Sequence, residues 1–332
     1  MLAPPITNAL TIDVEDYFQV SAFAPYIRRD DWERRECRVE RNVNRILEML
    51  AANQTRATFF TLGWVAERYP ALVKAIVAGG HELASHGYGH ERASDLDVQA
   101  FRQDLLRAKG LLEDLGGVAV KGYRAPSFSI GTGNLWAFDT LAETGHRYSS
   151  SIYPIQHDHY GMPDSPRFAY PLASGLLEVP VTTLRMGNRN LPSSGGGYFR
   201  LLPYAVSRWM LQRVNREDRQ SAIFYFHPWE IDVAQPRIPG IDAKTRFRHY
   251  VNIGRMEPRL QRLLAVTRHQ DGVAFALHQE FQRDDDVGLV VGDQDLVAHA
   301  LVSVVCSVCS VCSSCRQGRA KPKQAPWPGV AC

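Results

Sequence analysis

The chain has 332 residues, 45% of them hydrophobic and 22% charged, which is the make-up of a globular protein with a sizeable core. A net charge of +3, with no basic run interleaved with aromatics, excludes a nucleic-acid-binding surface as the leading function. No stretch of about 18 apolar residues occurs, so no membrane-spanning helix is expected.

Strand-like and helix-like segments alternate from the start. Ala9–Val14 is a short apolar run ending in acids and reads as a buried strand. Val43, Ile46, Leu47 and Leu50 follow helical spacing and predict a helix over roughly 39–52. The β-branched and aromatic run 57–62 predicts the second strand. Leu72, Val73, Ile76 and Val77 then mark a helix stopped by Gly79 and Gly80, and a strand follows at 81–85. Phe101, Leu105, Ala108, Leu112 and Leu115 stripe a third helix that Gly116 and Gly117 end. Further strands are predicted at 118–124, 147–152, 176–181, 222–227 and 273–278, with helices near 134–145, 203–215 and 255–268. Repeated βα units imply a parallel sheet, either a barrel or an open doubly wound sheet, and about seven or eight strands favour the barrel. The Pro- and Gly-rich region 153–200 is expected to form loops over one face. From about residue 284 the composition turns to an Asp run, a Val/Ser/Cys stretch and a Lys/Pro-rich end. Residues 1–283 are therefore expected to form the folded domain and 284–332 a tail outside it.

Four short segments carry candidate chemistry, each at or just after the C-terminal end of a predicted strand, where the loops of a parallel barrel converge. His86 and His90 are four apart, close enough to hold one ion, and imidazole nitrogen suits Zn²⁺. Two histidines satisfied by backbone groups in a βα loop would read the same way. Asp13 and Glu15 alternate on a strand and leave one face, so one carboxylate could complete a metal site while the other acts as general base. An acidic turn with Asp16 as its cap is the competing reading. Arg124 precedes Ala125 and Pro126 and could hold a carboxylate ionised and oriented, or form a surface ion pair. His227 ends the apolar run before it and could protonate a leaving amine, or be a hydrogen-bonded structural residue. Pro228, Trp229 and Glu230 would restrict the following loop and offer an aromatic wall for a sugar ring.

Taken together, the segments Thr11–Glu15, Ser85–His90, Arg124–Pro126 and Phe226–His227 resemble the ordered motifs of the polysaccharide deacetylase family, also called NodB-homology or carbohydrate esterase family 4. The resemblance runs from about Asn8 to His278. It implies a distorted (β/α)7 barrel and metal-dependent removal of N-acetyl groups from amino sugars of a polysaccharide or its precursor. In that scheme Glu15, His86 and His90 hold a divalent metal, most suitably Zn²⁺. Asp13, oriented by Arg124, is the base, a backbone N–H near Arg124 helps to stabilise the oxyanion, and His227 protonates the departing amine. Two departures stand out. Val14 separates Asp13 from Glu15 where the family has adjacent acids, which leaves Asp16 as a rival ligand. The fourth-motif segment Tyr148–Pro154 lacks the usual Asp, so no orienting partner for His227 is evident. The wording of several segments, GGGYFRL and FYFHPWE among them, resembles the branch found with exosortase and exopolysaccharide gene clusters. That likeness implies an N-acetylated polysaccharide substrate and a link to exopolysaccharide-synthesis machinery.

Two other functions fit parts of the pattern: a related metal-dependent amidohydrolase acting on a small amide, and a non-catalytic carbohydrate-binding barrel. Binding alone requires neither Asp13 nor His227. The first residues have no basic region followed by an apolar one, so no signal peptide is read. With Cys37 alone in the first 305 residues, a cytoplasmic location is expected, a periplasmic one staying open. Cys306, Cys309, Cys312 and Cys315 resemble a metal site only superficially, since their low-complexity surroundings lack ferredoxin spacing.

Overall fold

A computed structural model describes residues 6–158 and 160–265. The strand expected at 273–278, the end of the helix at 255–268, the boundary at 283/284 and the C-terminal cysteines lie outside the described residues. The strands are β1 (Ala9–Val14), β2 (Thr58–Thr61), β3 (Glu82–Ser85), β4 (Gly122–Tyr123), β5 (Tyr148–Ser149), β6 (Tyr170–Pro171), β7 (Leu177–Glu178), β8 (Thr183–Met186), β9 (Arg189–Pro192) and β10 (Ile223–Phe226). The helices are α1 (Val39–Ala52), α2 (Gly63–Arg68), α3 (Pro70–Ala78), α4 (Val98–Gly116), α5 (Trp136–Glu143), α6 (Gly196–Leu201), α7 (Tyr204–Arg213), α8 (Ala243–Tyr250) and α9 (Ile253–Ala265).

Eight strands form one sheet in the order β10-β1-β2-β3-β4-β5-β7-β6. All pair in parallel except β6, which runs antiparallel to β7 at the edge. The seven parallel strands are those of a distorted (β/α)7 barrel. Side-chain alternation along β1 shows how the sheet curls. Leu10, Ile12 and Val14 point outward with Phe59, Phe224 and Phe226, and pack against Val43, Ile46, Leu260 and Leu264 of α1 and α9. Ala9 points inward and meets Phe60, Ala84, Tyr148, Ile223 of β10 and Val179 just beyond β7. Strands far apart in the sheet order thus share one inner cluster, as a curled sheet requires. Among the described residues no ladder joins β10 to β7. The Ile223 N–H instead donates to Thr182 Oγ1 at 2.6 Å, so the barrel is closed by side chains on this side.

The helices form for local reasons. The apolar stripe of α1 buries Val43, Ile46 and Leu50, each contributing about 1.5–3 kcal/mol relative to exposure. Asp97 caps α4 by accepting the Ala100 N–H, and Gly117, at φ +65°, ends it in the left-handed conformation that glycine adopts without strain. The region 153–200 is not made only of loops. It holds β6, β7, the antiparallel hairpin β8–β9 and α6. Between β5 and β7 the described chain carries β6 and no helix, whereas the β8–β9 hairpin, α6 and α7 connect β7 to β10. Among the described residues no helix is long and apolar enough to cross a membrane.

Glu178 on β7 is fully buried, and its Oε1 accepts the N–H groups of Ser151 and Ile152. Burial pushes its carboxyl from an ordinary 4.5 up to about 7, against the Ser149 hydroxyl, these N–H groups and the Arg124 charge, which all act to lower it. Between those pH values the folded state binds the extra proton, so stability falls as pH rises. The loss should be on the order of 3 kcal/mol by linkage. Urea unfolding of Glu178→Gln from pH 4.5 to 8 should lack this fall; parallel pH curves for variant and wild type would refute it.

Candidate active site

The inner face of the barrel becomes polar at the C-terminal ends of the strands. One layer above Ala9 and Ile223 lie Thr11 and Tyr225, and above them Asp13 and His227. Asp13, Glu15, His86, His90 and Arg124 are all buried, with Arg124 at 0% exposure. A surface ion pair for Arg124 is thereby ruled out. Its Nη1 donates to Asp13 Oδ1 at 2.7 Å and to Thr11 Oγ1 at 2.8 Å. Its Nε and Nη2 donate to the carbonyl and hydroxyl of Ser150, and the guanidinium sits 4.2 Å from the Phe60 ring centroid.

β1 ends at Val14, so Glu15 reaches the site from the first residue beyond the strand, its N–H turned back onto the Asp13 carbonyl. Glu15 Oε1 accepts the Trp229 indole N–H at 3.2 Å, and Oε2 lies 2.6 Å from His90 Nε2. Oε2 otherwise receives no hydrogen bond. Two such atoms at this separation need a proton or a cation shared between them. His86 follows β3, and its Nδ1 pairs with the Arg124 carbonyl at 2.7 Å, so it donates there and leaves Nε2 free as a ligand. One ligand atom each from Glu15, His86 and His90 lies within 4.8 Å of the others. This donor set, with its orphaned carboxylate oxygen, fits a divalent metal.

The loop between the two histidines is held from both sides. Gly87, at φ +75°, leaves no room for a Cβ beside the Asp104 carboxylate, which accepts the Tyr88 N–H. The N–H groups of Gly63 and Trp64 donate to the carbonyls of Gly87 and Tyr88.

Asp16 lies apart from this cluster. Oδ1 accepts the Tyr17 N–H, and Oδ2 accepts the N–H groups of Arg38 and Val39 at the start of α1. Burial pushes its pKa up to about 6 despite those bonds. The backbone N–H groups of Arg124 and Ala125 are also engaged, by the Ser85 carbonyl and the Ser151 hydroxyl. Neither of these two N–H groups is therefore free to meet an oxyanion.

His227 stands at the end of β10 with Nε2 3.8 Å from Asp13 Oδ2 and 3.7 Å from Glu15 Oε1. Its Nδ1 is 2.8 Å from Glu230 Oε1. The orienting partner that sequence reasoning did not find is thus Glu230, three residues on in the 3-10 turn Pro228–Ile231. Trp229 is 5% exposed and lies stacked between His227 and His249, so it offers no open wall to a sugar; its indole is spent on Glu15. Tyr225, edge-on to His227 and packed on Phe128 at 5.0 Å between centroids, is equally buried.

Charges in the site are strongly coupled. Burial acts to raise the Glu15 carboxyl, but the charges of His90 and His227 outweigh it and bring its pKa down to about 2. Burial lowers the His86 imidazole to about 4, which keeps it neutral as ligation requires. Burial also opposes a charged His227, yet Glu15, Glu230 and Asp13 raise it to about 9.

A curled parallel barrel whose strand ends bring together two imidazoles, a carboxylate and an Arg-held aspartate has the make-up of a metal-dependent hydrolase site. Residues 28–148 match the polysaccharide deacetylase family, and residues 150–275 match a domain of unknown function, DUF3473. Over residues 28–148 the chain is thus similar to polysaccharide deacetylases. The first match contains His86, His90 and Arg124; the second contains His227, Glu230 and Arg200. A peptidoglycan-N-acetylglucosamine deacetylase of Bacillus cereus is 34% identical over 82 residues, which is 25% of this chain and 30% of that protein. A peptidoglycan deacetylase of Helicobacter pylori is 33% identical over 115 residues, 34% of this chain and 38% of that protein. A chitooligosaccharide deacetylase of Sinorhizobium fredii is 27% identical over 144 residues, 43% of this chain and 61% of that protein. The matches thus span only about a third of the first two relatives. A crystal structure of a Mycobacterium smegmatis protein assigned to the polysaccharide deacetylases shares the fold, with TM-score 0.53 and 20% identity over 89% of this chain and 97% of that one.

Proposed function

We propose that this protein hydrolyses N-acetyl groups from amino sugars of a polysaccharide or its precursor, releasing acetate. The observation that carries the reading is the convergence, at one end of the barrel, of the Glu15/His86/His90 cluster with the Asp13–Arg124 pair and His227. Glu15, His86 and His90 would hold a divalent ion, Zn²⁺ by the preference of imidazole nitrogen. Such an ion, when bound, supplies Lewis acidity and makes water acidic enough to lose a proton near neutral pH.

The remaining steps belong to the chain's own side chains. Asp13 Oδ1 is committed to Arg124, so Oδ2, the oxygen facing His227, takes the proton from the attacking water. Arg124 holds Asp13 in place and is itself fixed by Thr11 and Ser150. His227 Nε2 then delivers a proton to the nitrogen as the amide C–N bond breaks, giving acetate and a free amine. The named activities of the partial relatives on peptidoglycan and chitooligosaccharide support an N-acetylated glycan as the substrate class. The likeness of its segment wording to the exopolysaccharide branch makes such a polymer the candidate within that class, with the synthesis machinery as its setting.

Purified protein is expected to carry about one divalent ion per chain, to release acetate from N-acetylglucosamine oligomers, and to lose that activity on chelation and regain it with Zn²⁺. Metal-loaded protein that releases no acetate from any N-acetylated oligomer would reject the assignment.

A further inference from the structure

We infer that Glu230 and Arg200 form a buried positioning pair that holds the Nδ1–H and so fixes the direction of the His227 ring, the part the fourth-motif acid would otherwise play. The inference rests on the deacetylase reading for its catalytic consequence, but its structural content stands separately. Glu230 is 1% exposed, and its two oxygens are divided between two tasks. Oε1 accepts from His227 twice, from Nδ1 at 2.8 Å and from the backbone N–H at 3.1 Å. Oε2 accepts from Arg200 Nε at 2.8 Å. Arg200 is equally buried, and Nη1 donates to the carbonyls of His249 and Val251, at 2.9 and 2.6 Å. A buried carboxylate is costly unless paired and hydrogen-bonded, and here both conditions are met at once.

The local sequence is built around this pair. A Cβ on Gly196 would overlap both carboxylate oxygens of Glu230, so only glycine leaves room there. Arg200 lies four residues further along the same short helix, α6, on the face that Gly196 leaves open to Glu230. Gly195, at φ +99°, turns the chain into that helix against the Tyr225 ring. The run Gly195–Arg200 thus supplies a seat for Glu230 and the cation that neutralises it. Both residues lie in the segment matched by the domain of unknown function, and none of their partners belongs to the metal cluster. We assign that segment the task of carrying the acid half of the site.

With Nδ1–H fixed on Glu230, the ring presents Nε2 to Asp13 and to the space above the barrel. Glu230 also caps the turn that follows His227, so the test must separate direction from mere support. Glu230→Gln is nearly isosteric and does so. Its amide has a single acceptor oxygen, for which Arg200 Nε–H and His227 Nδ1–H compete. If Arg200 takes it, the NH₂ group faces Nδ1–H, donor against donor, and the hold on the ring is lost. In ¹⁵N-histidine NMR of the metal-free protein, the His227 nitrogens should shift in Glu230→Gln and Arg200→Met, while the His86 and His90 signals stay in place.

With metal bound, kcat on N-acetylglucosamine oligomers should fall by about 10–100-fold in Glu230→Gln, with KM and metal content unchanged, the size seen for partners that orient functional imidazoles. Unchanged His227 shifts in both variants overturn the inference, as does a kcat loss that tracks loss of metal or of the folded state. If the wild type itself releases no acetate, the deacetylase reading fails, and the NMR comparison still decides the positioning pair.

Discussion

Asp13→Asn is expected to slow acetate release by about 10²–10⁴-fold while leaving metal content and glycan binding unchanged, the range typical for removal of a general base. The reasoning turns on which oxygen is free. Arg124 Nη1 holds Oδ1 at 2.7 Å, so the asparagine oxygen should take that position and its NH₂ group should replace Oδ2. The side chain then keeps its shape and its bond to Arg124 but can no longer accept a proton where water would attack. Glu15, His86 and His90 are untouched, so elemental analysis should give the wild-type metal stoichiometry. The same variant separates an enzyme from a sugar-binding barrel, since binding without hydrolysis has no need of that oxygen. Acetate release at the wild-type rate would remove Asp13 from the reaction.

The sequence made some parts of this arrangement legible and hid others, for physical reasons. β1 and α1 were readable to the residue, because the apolar-to-acidic boundary at Val14 and the stripe through Val43, Ile46 and Leu50 reflect burial against one core. α2 and α8 were not. The first has only six residues, too few to show a period, and the second buries His249 alone, so it has no stripe to read. β6, β8 and β9 were hidden inside a Pro- and Gly-rich region whose composition signals turns, and pairing between such short strands is set by tertiary contacts.

At the site, the residue types at strand ends were visible, but their partners were not. Glu230 was in view three residues after His227, yet it passed for a loop residue because the expected acid lay elsewhere in the chain. An acid at that offset across a proline, with an arginine just after a run of three glycines, was the available signal. Trp229 shows the converse: an aromatic beside a catalytic-type histidine looked like a surface for sugar, and its place in the stack with His249 depends on α8, which carries no sequence period.

Arg124→Met is expected to cost about 3–5 kcal/mol of stability, the range for breaking one side of a buried ion pair. The guanidinium is fully buried and makes bonds to three positions: Asp13 and Thr11 on β1, and Ser150 just after β5. Methionine fills much of the volume over Phe60 but leaves the Asp13 carboxylate buried without its cation. Lysine would not restore the site either, because a single ammonium cannot copy the fork that reaches both Asp13 and Ser150. If the penalty is chiefly the stranded charge of Asp13, adding Asp13→Asn to Arg124→Met should recover a measurable part of it. The double variant would then be more stable than the sum of the two single effects predicts, by about 0.5–3 kcal/mol, the usual coupling between contacting residues. Urea unfolding of the four proteins at pH 7 gives this directly. Strict additivity would mean that Arg124 stabilises the barrel through its Ser150 and Thr11 bonds alone, and that the Asp13–Arg124 pair is not the electrostatic unit described above.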